Sequence, residues 1–177
     1  MFLRKDNNMT DKKILIGIAI ITLVILSGAM VFLSSTPSSS KATLQKTIGV
    51  KLETPETSFD FKSIPFSGGD AIHEFKIKNT GDKPLSIANM ATSCHCTKVF
   101  FKNSAGESPK FEMKGSAPSS WVGILNSGEE GQVVSDFDPT FHGPQGVGPI
   151  SRIVSFETND PDHPYVELSF SGNVVKN

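Results

Sequence analysis

Thr92-Ser-Cys-His-Cys-Thr97 is the one cluster in this 177-residue chain with intrinsic reactivity, because Cys94 and Cys96 are its only cysteines and His95 stands between them. Two thiols on one strand face can grip a single soft metal ion. Metal–sulfur bonds of about 2.3 Å on each side tolerate the separation of residues two apart, and thiolate sulfur favours copper(I) or zinc. In an extended segment the same separation is too wide for a disulfide, whose Cβ atoms sit about 3.8 Å apart. Met90 has the strand parity of the two cysteines and joins the candidate ligands, whereas His95 points away unless the backbone turns. Met113 or His142 would complete such a metal site from the loops. Three uses of the pair stay open: burial or an unusual local disulfide, copper or zinc binding, and thiol redox work. A thioredoxin-type role lacks its Cys-x-x-Cys spacing, and a cupredoxin site lacks a closely following His and Met.

The remaining chemistry is thin. No Ser sits in a Gly-x-Ser-x-Gly elbow and no His-Glu-x-x-His pair occurs, so hydrolase and metalloprotease readings have no residues to stand on. Gly143-Pro-Gln-Gly-Val-Gly148 lacks the Lys-Ser/Thr ending of a phosphate loop, and Pro144 and Pro149 remove backbone donors that such a cradle needs. Asp136, Asp138 and Asp160 lie in turn-forming sequences and read as turn formers rather than calcium ligands. His73 shares the parity of Phe75 and Ile77, which predicts a partly buried structural histidine, and His163 beside Pro164 predicts an exposed one. Trp121, the single Trp, reads as a packing anchor. The expectation is a protein that is not an enzyme.

The elements that must position these residues are strands. From Ile48 onward apolar residues recur at period two between Gly, Pro, Asn and Asp clusters, the rhythm of an all-β protein. Strands are expected at 49–53, 58–64, 71–79, 84–90, 96–102, 120–125, 131–137, 150–158 and 165–175. Phe59 with Phe61, Phe75 with Ile77, Leu85 with Ile87, Val133 with Phe137, Val154 with Phe156, and Val166 with Leu168 and Phe170 each fall on one strand face and should form the core between two sheets. Seven to nine strands in this length predict an immunoglobulin-like β-sandwich without the antibody disulfide. The long segment 103–119, which holds Phe111 and Met113, is the expected partner contact.

Ahead of the strands, Ile14 to Leu33 is an apolar run broken only by Thr22 and Ser27, long enough as a helix to cross roughly 30 Å of hydrocarbon. Arg4, Lys5, Lys12 and Lys13 precede it. These cations predict a cytoplasmic N-terminus and an extracytoplasmic remainder. The alternative is a cleaved secretory signal, with small residues at Ser27-Gly28-Ala29, although Met30 to Leu33 continues the run past that cut. The expected organisation is a cytoplasmic tail (1–13), a membrane helix (14–33), a Ser/Thr-rich stalk (34–47) and one sandwich domain (48–177). Beyond residue 33 the chain carries 13 basic and 16 acidic residues, interspersed, which leaves no basic patch for nucleic acid.

The stretch SFDFKSIPFSGGDAIHEFKIKNTGDKPLSIANMATSCHCT (58–97) resembles the opening half of the bacterial domain of unknown function 1573 family, and SGEEGQVVSDFDPTFHGPQGVGPISRIVSFETNDPDHPYVELSFSGNVV is similar to its closing half. Where that family typically has Gly after Phe-Asp-Phe this chain has Lys62, and His95 stands where Gly is frequent. The resemblance implies an immunoglobulin-like domain related to Hydin-type domains, and it brings no established reaction. Together these readings predict a membrane-anchored, extracytoplasmic binding or scaffolding module for an envelope protein or surface ligand. Copper or zinc handling through Cys94 and Cys96 is the alternative.

Overall fold

The computed structural model describes residues 8–34, 40–116 and 118–176. Arg4 and Lys5, and most of the expected stalk before residue 40, lie outside the described residues. The chain divides into two units, Met1–Ser38 and Ser39–Asn177.

The first unit contains one helix, α1 (Asn8–Ser34). Its window Lys12–Ala29 has a mean hydropathy of 2.0 with none of its surface buried. An all-round apolar helix with no protein packed on it has no reason to be stable in water, whereas in a bilayer it satisfies every backbone group internally. Among the described residues the chain thus has one helix long and apolar enough to span a membrane.

The second unit is a sandwich of ten strands: β1 (Leu52–Glu53), β2 (Ser58–Pro65), β3 (Ala71–Asn79), β4 (Leu85–Thr92), β5 (Thr97–Asn103), β6 (Gly106–Glu107), β7 (Val122–Leu125), β8 (Glu130–Phe137), β9 (Gly148–Thr158) and β10 (Tyr165–Val175). One sheet runs β1-β3-β8-β5-β6 and the other β2-β10-β9-β4-β7. Every pairing is antiparallel except β2 with β10. The inward residues expected from period two meet between the sheets: Phe75, Ile77, Leu85, Ile87, Val133, Val154, Phe156, Leu168 and Phe170 are all essentially without solvent contact. Phe59 and Phe61 are half-buried against this core, Phe61 edge-on to Phe170 at 5.6 Å. The strands form an immunoglobulin-like sandwich, as the sequence predicts; β6, two exposed residues long, is the added element.

Buried polar side chains tie one end of the sandwich together. Asn79 donates from Nδ2 to the carbonyls of Lys83 and Leu125, and Asn159 Oδ1 accepts from Ser86 N at 2.7 Å. Asp160, 1 % exposed, accepts from Leu52 N at 2.8 Å and Asp162 N at 2.9 Å. Asp160 is one of the turn formers singled out in the sequence, and the three side chains satisfy backbone donors and acceptors that would otherwise be buried unpaired. The chain before β1 is docked as well: Ala42 N donates to Ser119 O, Thr47 N to Asn159 O, and Lys41 pairs with Glu157 at 2.6 Å.

Candidate functional site

β4 and β5 lie in different sheets, so residues 93–96 must cross the sandwich in a tight turn. Thr92 organises that turn, its hydroxyl lying 2.8 Å from Cys94 O and 3.1 Å from Thr97 O. Thr97 N donates back to Cys94 O, and Ser93 is stitched to β9 by Ser93 N to Ile153 O and Ile153 N to Ser93 Oγ. The turn brings the Cys94 and Cys96 Cα atoms to 5.3 Å and the two residues form a disulfide.

This corrects the metal expectation. The extended geometry that separates the two Cβ atoms does not occur, and sulfurs bonded to each other are not the thiolates that bind copper or zinc. Cys94 Sγ, Cys96 Sγ and a ring nitrogen of His142 do lie within 4.8 Å of one another, yet neither cysteine is free. Of the other residues proposed as ligands, His142 alone reaches a sulfur, Nε2 lying 3.5 Å from Cys94 Sγ. Met90 is buried in the core. His95 is exposed on the turn, and Met113 sits on a separate strap.

The two sulfurs occupy unlike surroundings. Cys94 is half-buried, and its Sγ accepts from Cys96 N at 3.3 Å. Cys96 is 2 % exposed, and its Sγ accepts from Arg152 Nε at 3.1 Å, with Thr97 Oγ1 at 3.7 Å. Arg152 was missed in the sequence although a signal was there: it shares the parity of Val154 and Phe156 on β9, so a cation points at the core face. Its guanidinium otherwise donates to Ser151 O and stands over the Phe137 ring at 5.9 Å, and burial lowers its pKa. A bridge closing three residues restrains the unfolded chain by only about 1.6 kcal/mol, roughly half of what a 15-residue loop gains. Stapling the fold is therefore a weak reason for this disulfide.

Two clefts flank the turn. One, of about 330 Å³, is lined by Cys96, His95, Asp70, Asp136, Asp138 and Lys98 among others. Asp136 is 7 % exposed; its Oδ2 accepts from Lys110 Nζ at 2.7 Å, while its Oδ1 has no partner among the described residues. Burial, followed by the negative charge of Asp136 and Asp138, raises the Asp70 carboxyl above its usual range. The other cleft, of about 500 Å³, lies between the strap at Lys110–Ser116 and strands β4 and β9. The strap pairs with both sheets, Phe111 with Val99 of β5 and Met113 with Thr92 of β4, so it closes the side of the sandwich. Phe111 packs on Trp121 at 5.5 Å and Trp121 on Phe101 at 6.0 Å, which makes Trp121 the expected packing anchor. Opposite the strap, Asn89 takes a left-handed φ of 52° where the register of β4 and β9 shifts, and its Nδ2 holds Glu157 at 2.7 Å.

His73 is partly buried as expected, stacked on Phe59 at 3.6 Å and bonded to Glu56 at 2.9 Å. His163 is 54 % exposed and rests against Asp160. The Gly143–Gly146 stretch is a single 3-10 turn.

Comparison with known proteins agrees with the sequence resemblance over part of the chain. Residues 39–114 match the family described as protein of unknown function (DUF1573). That match covers β1 to β6, the disulfide turn and the strap as far as Lys114. No curated protein matches the sequence. Among solved structures, a protein of unknown function from Porphyromonas gingivalis W83 is similar at 17 % identity and a TM-score of 0.52, over 78 % of this chain and 51 % of that one. The chain thus spans about half the length of that protein, and the likeness concerns fold. The PapD-like domain 7 of human CEP192 (TM-score 0.45, 17 % identity, 80 % of this chain and 97 % of that one) and the periplasmic chaperone SfaE (0.38, 10 %, 71 % and 60 %) overlap less. At such overlap they say nothing about binding or partners.

Proposed function

We propose that this chain is a single-pass protein of the bacterial cell envelope, with its N-terminus in the cytoplasm and its sandwich outside, where the domain acts as a non-catalytic binding or scaffolding module. The observation that carries this reading is the Cys94–Cys96 disulfide in a chain that also holds an unburied apolar helix. Disulfides persist in oxidising compartments, and Lys12 and Lys13 at the start of the helix favour a span whose C-terminal side is exported.

The cleft beside the strap supports a binding role. It mixes apolar surface from Phe111, Met113 and Tyr165 with the charges of Lys41, Glu112 and Lys114, the composition of a surface that recognises protein rather than one that does chemistry. It is built on strands that cannot shift register without turning the core outward.

A reporter enzyme that folds only under oxidising conditions, fused after Asn177, should be active, and the same fusion lacking residues 14–33 should be silent. A photo-crosslinking residue at Met113 or Tyr165 should capture the same envelope protein in living cells, while one at Glu74 on the other sheet should not. A silent full-length fusion, activity that persists without residues 14–33, or capture from all three positions alike, would overturn the proposal.

A further inference from the structure

We propose that the Cys94–Cys96 disulfide is a redox-active acceptor that exchanges with a dithiol, attacked at Cys94 and releasing Cys96 as a thiolate held by Arg152. This goes beyond the binding role and rests on the inequality of the two sulfurs. Cys94 is half-buried at the turn, where an incoming thiolate can reach it. Cys96 is buried, and the Arg152 Nε donor stands 3.1 Å from its sulfur. Among the described residues Arg152 has no carboxylate partner, so its charge is directed at sulfur rather than neutralised. An adjacent cation makes a cysteine a better leaving group and stabilises the reduced form of a pair, which makes its disulfide more oxidising.

The exchange balances as follows. A thiolate of the dithiol attacks Cys94 Sγ, a new sulfur–sulfur bond forms there, and the Cys94–Cys96 bond breaks with its electron pair passing to Cys96. The second thiolate of the dithiol then attacks the dithiol's own sulfur in the mixed disulfide, closing a new disulfide and releasing Cys94. The dithiol loses two electrons and two protons; Cys94 and Cys96 gain the two electrons, and the protons pass to them directly or through water. The event is stoichiometric and needs no further co-reactant. His142 Nε2, 3.5 Å from Cys94 Sγ, stands beside the sulfur released last. The cleft next to Cys96 carries Asp70, Asp136 and Asp138, so a dithiol flanked by cationic residues fits better than an acidic one.

The test uses the full chain in detergent, equilibrated with reduced and oxidised glutathione at graded ratios and followed by alkylation and mass spectrometry. The wild type should pass between disulfide and dithiol within the accessible ratios. Arg152→Met should shift the midpoint by roughly tenfold toward the disulfide, with Arg152→Lys falling between. With oxidised glutathione, Cys96→Ser should form a mixed disulfide at Cys94 about tenfold faster than Cys94→Ser forms one at Cys96, because access governs the attack. Trp121 emission checks folding of each variant, and the comparison of the two Cys variants decides the matter if the Arg152 substitutions do not fold. A bridge that stays oxidised in excess reduced glutathione, an Arg152→Met midpoint equal to wild type, or equal reactivity of the two single cysteines would overturn the proposal.

Discussion

Replacing Asp160 by Asn removes one negative charge without changing shape, and the structure fixes what that should cost. The carboxylate is 1 % exposed and accepts Leu52 N on one oxygen and Asp162 N on the other, with His163 Nδ1 at 3.1 Å. Burial alone would raise its pKa, but the two backbone donors and His163 outweigh it, and the net shift is downward. An amide has one acceptor oxygen, so in Asp160→Asn one of the two backbone donors must face an NH2 group. A buried orphaned donor costs about 1–3 kcal/mol, and the surviving bond loses about 1 kcal/mol of its charge assistance. The expected loss at neutral pH is about 2–4 kcal/mol. The lowered carboxyl adds a signature in pH. Its stabilisation is fully present above the unfolded-state value near 3.9 and disappears as pH falls through the folded-state value, so the gap between wild type and variant should narrow below about pH 4. Urea titrations of the full chain in detergent, read by emission of the single Trp121 in the sandwich, measure both effects. Asp60, Glu129 and Glu130, whose pKa values are also lowered, titrate alike in both proteins and cancel in the difference. A loss below about 1 kcal/mol, or a gap that does not change between pH 7 and pH 3, would refute the reasoning.

Phe75→Ala should destabilise the domain by about 3–5 kcal/mol in the same titration, and a loss below about 1 kcal/mol would mean that β3 presents its other face to the core. A Cβ at Gly123 would meet Trp121 Cη2 at 2.5 Å and Phe101 Cδ1 at 3.1 Å, so Gly123→Ala should cost about 1–3 kcal/mol and shift Trp121 emission; unchanged emission would contradict the packing. Lys62 holds a φ of 62° at the irregularity between β2 and β10. Relief of about 1–2 kcal/mol of left-handed strain exceeds the 0.5–1 kcal/mol of added chain freedom, so Lys62→Gly should raise the unfolding midpoint, and a marked drop would show that the Asp60 bonds to Lys62 dominate.

The sandwich was readable because its core is built by strict alternation: β3 and β10 begin and end where period two places them, and their inward residues are the ones found buried. β6 escaped because two exposed residues carry no alternation at all. The docking of residues 41–47 escaped for a related reason, since Lys41 and Ala42 are held by Glu157 and Ser119 far along the chain and no local pattern announces it.

The cysteine pair shows where a one-dimensional pattern misleads. Read as part of one continued strand, Cys94 and Cys96 face the same way and cannot bond, and a shared metal becomes the natural use of two thiols. That inference fails at a single step, the assumption that the chain stays in one sheet. β4 and β5 belong to opposite sheets, and a crossing made in four residues forces a turn, which moves Cys94 and Cys96 into bonding range. The partner of the bridge was nevertheless encoded. Arg152 interrupts an inward-facing row of Ile150, Val154 and Phe156 on β9, and a cation on a core face persists only where something inside the fold accepts it. In this domain the acceptor is the Cys96 sulfur, 3.1 Å from Nε, so the residue most discordant with the strand pattern is the one that gives the two ends of the disulfide different chemistry.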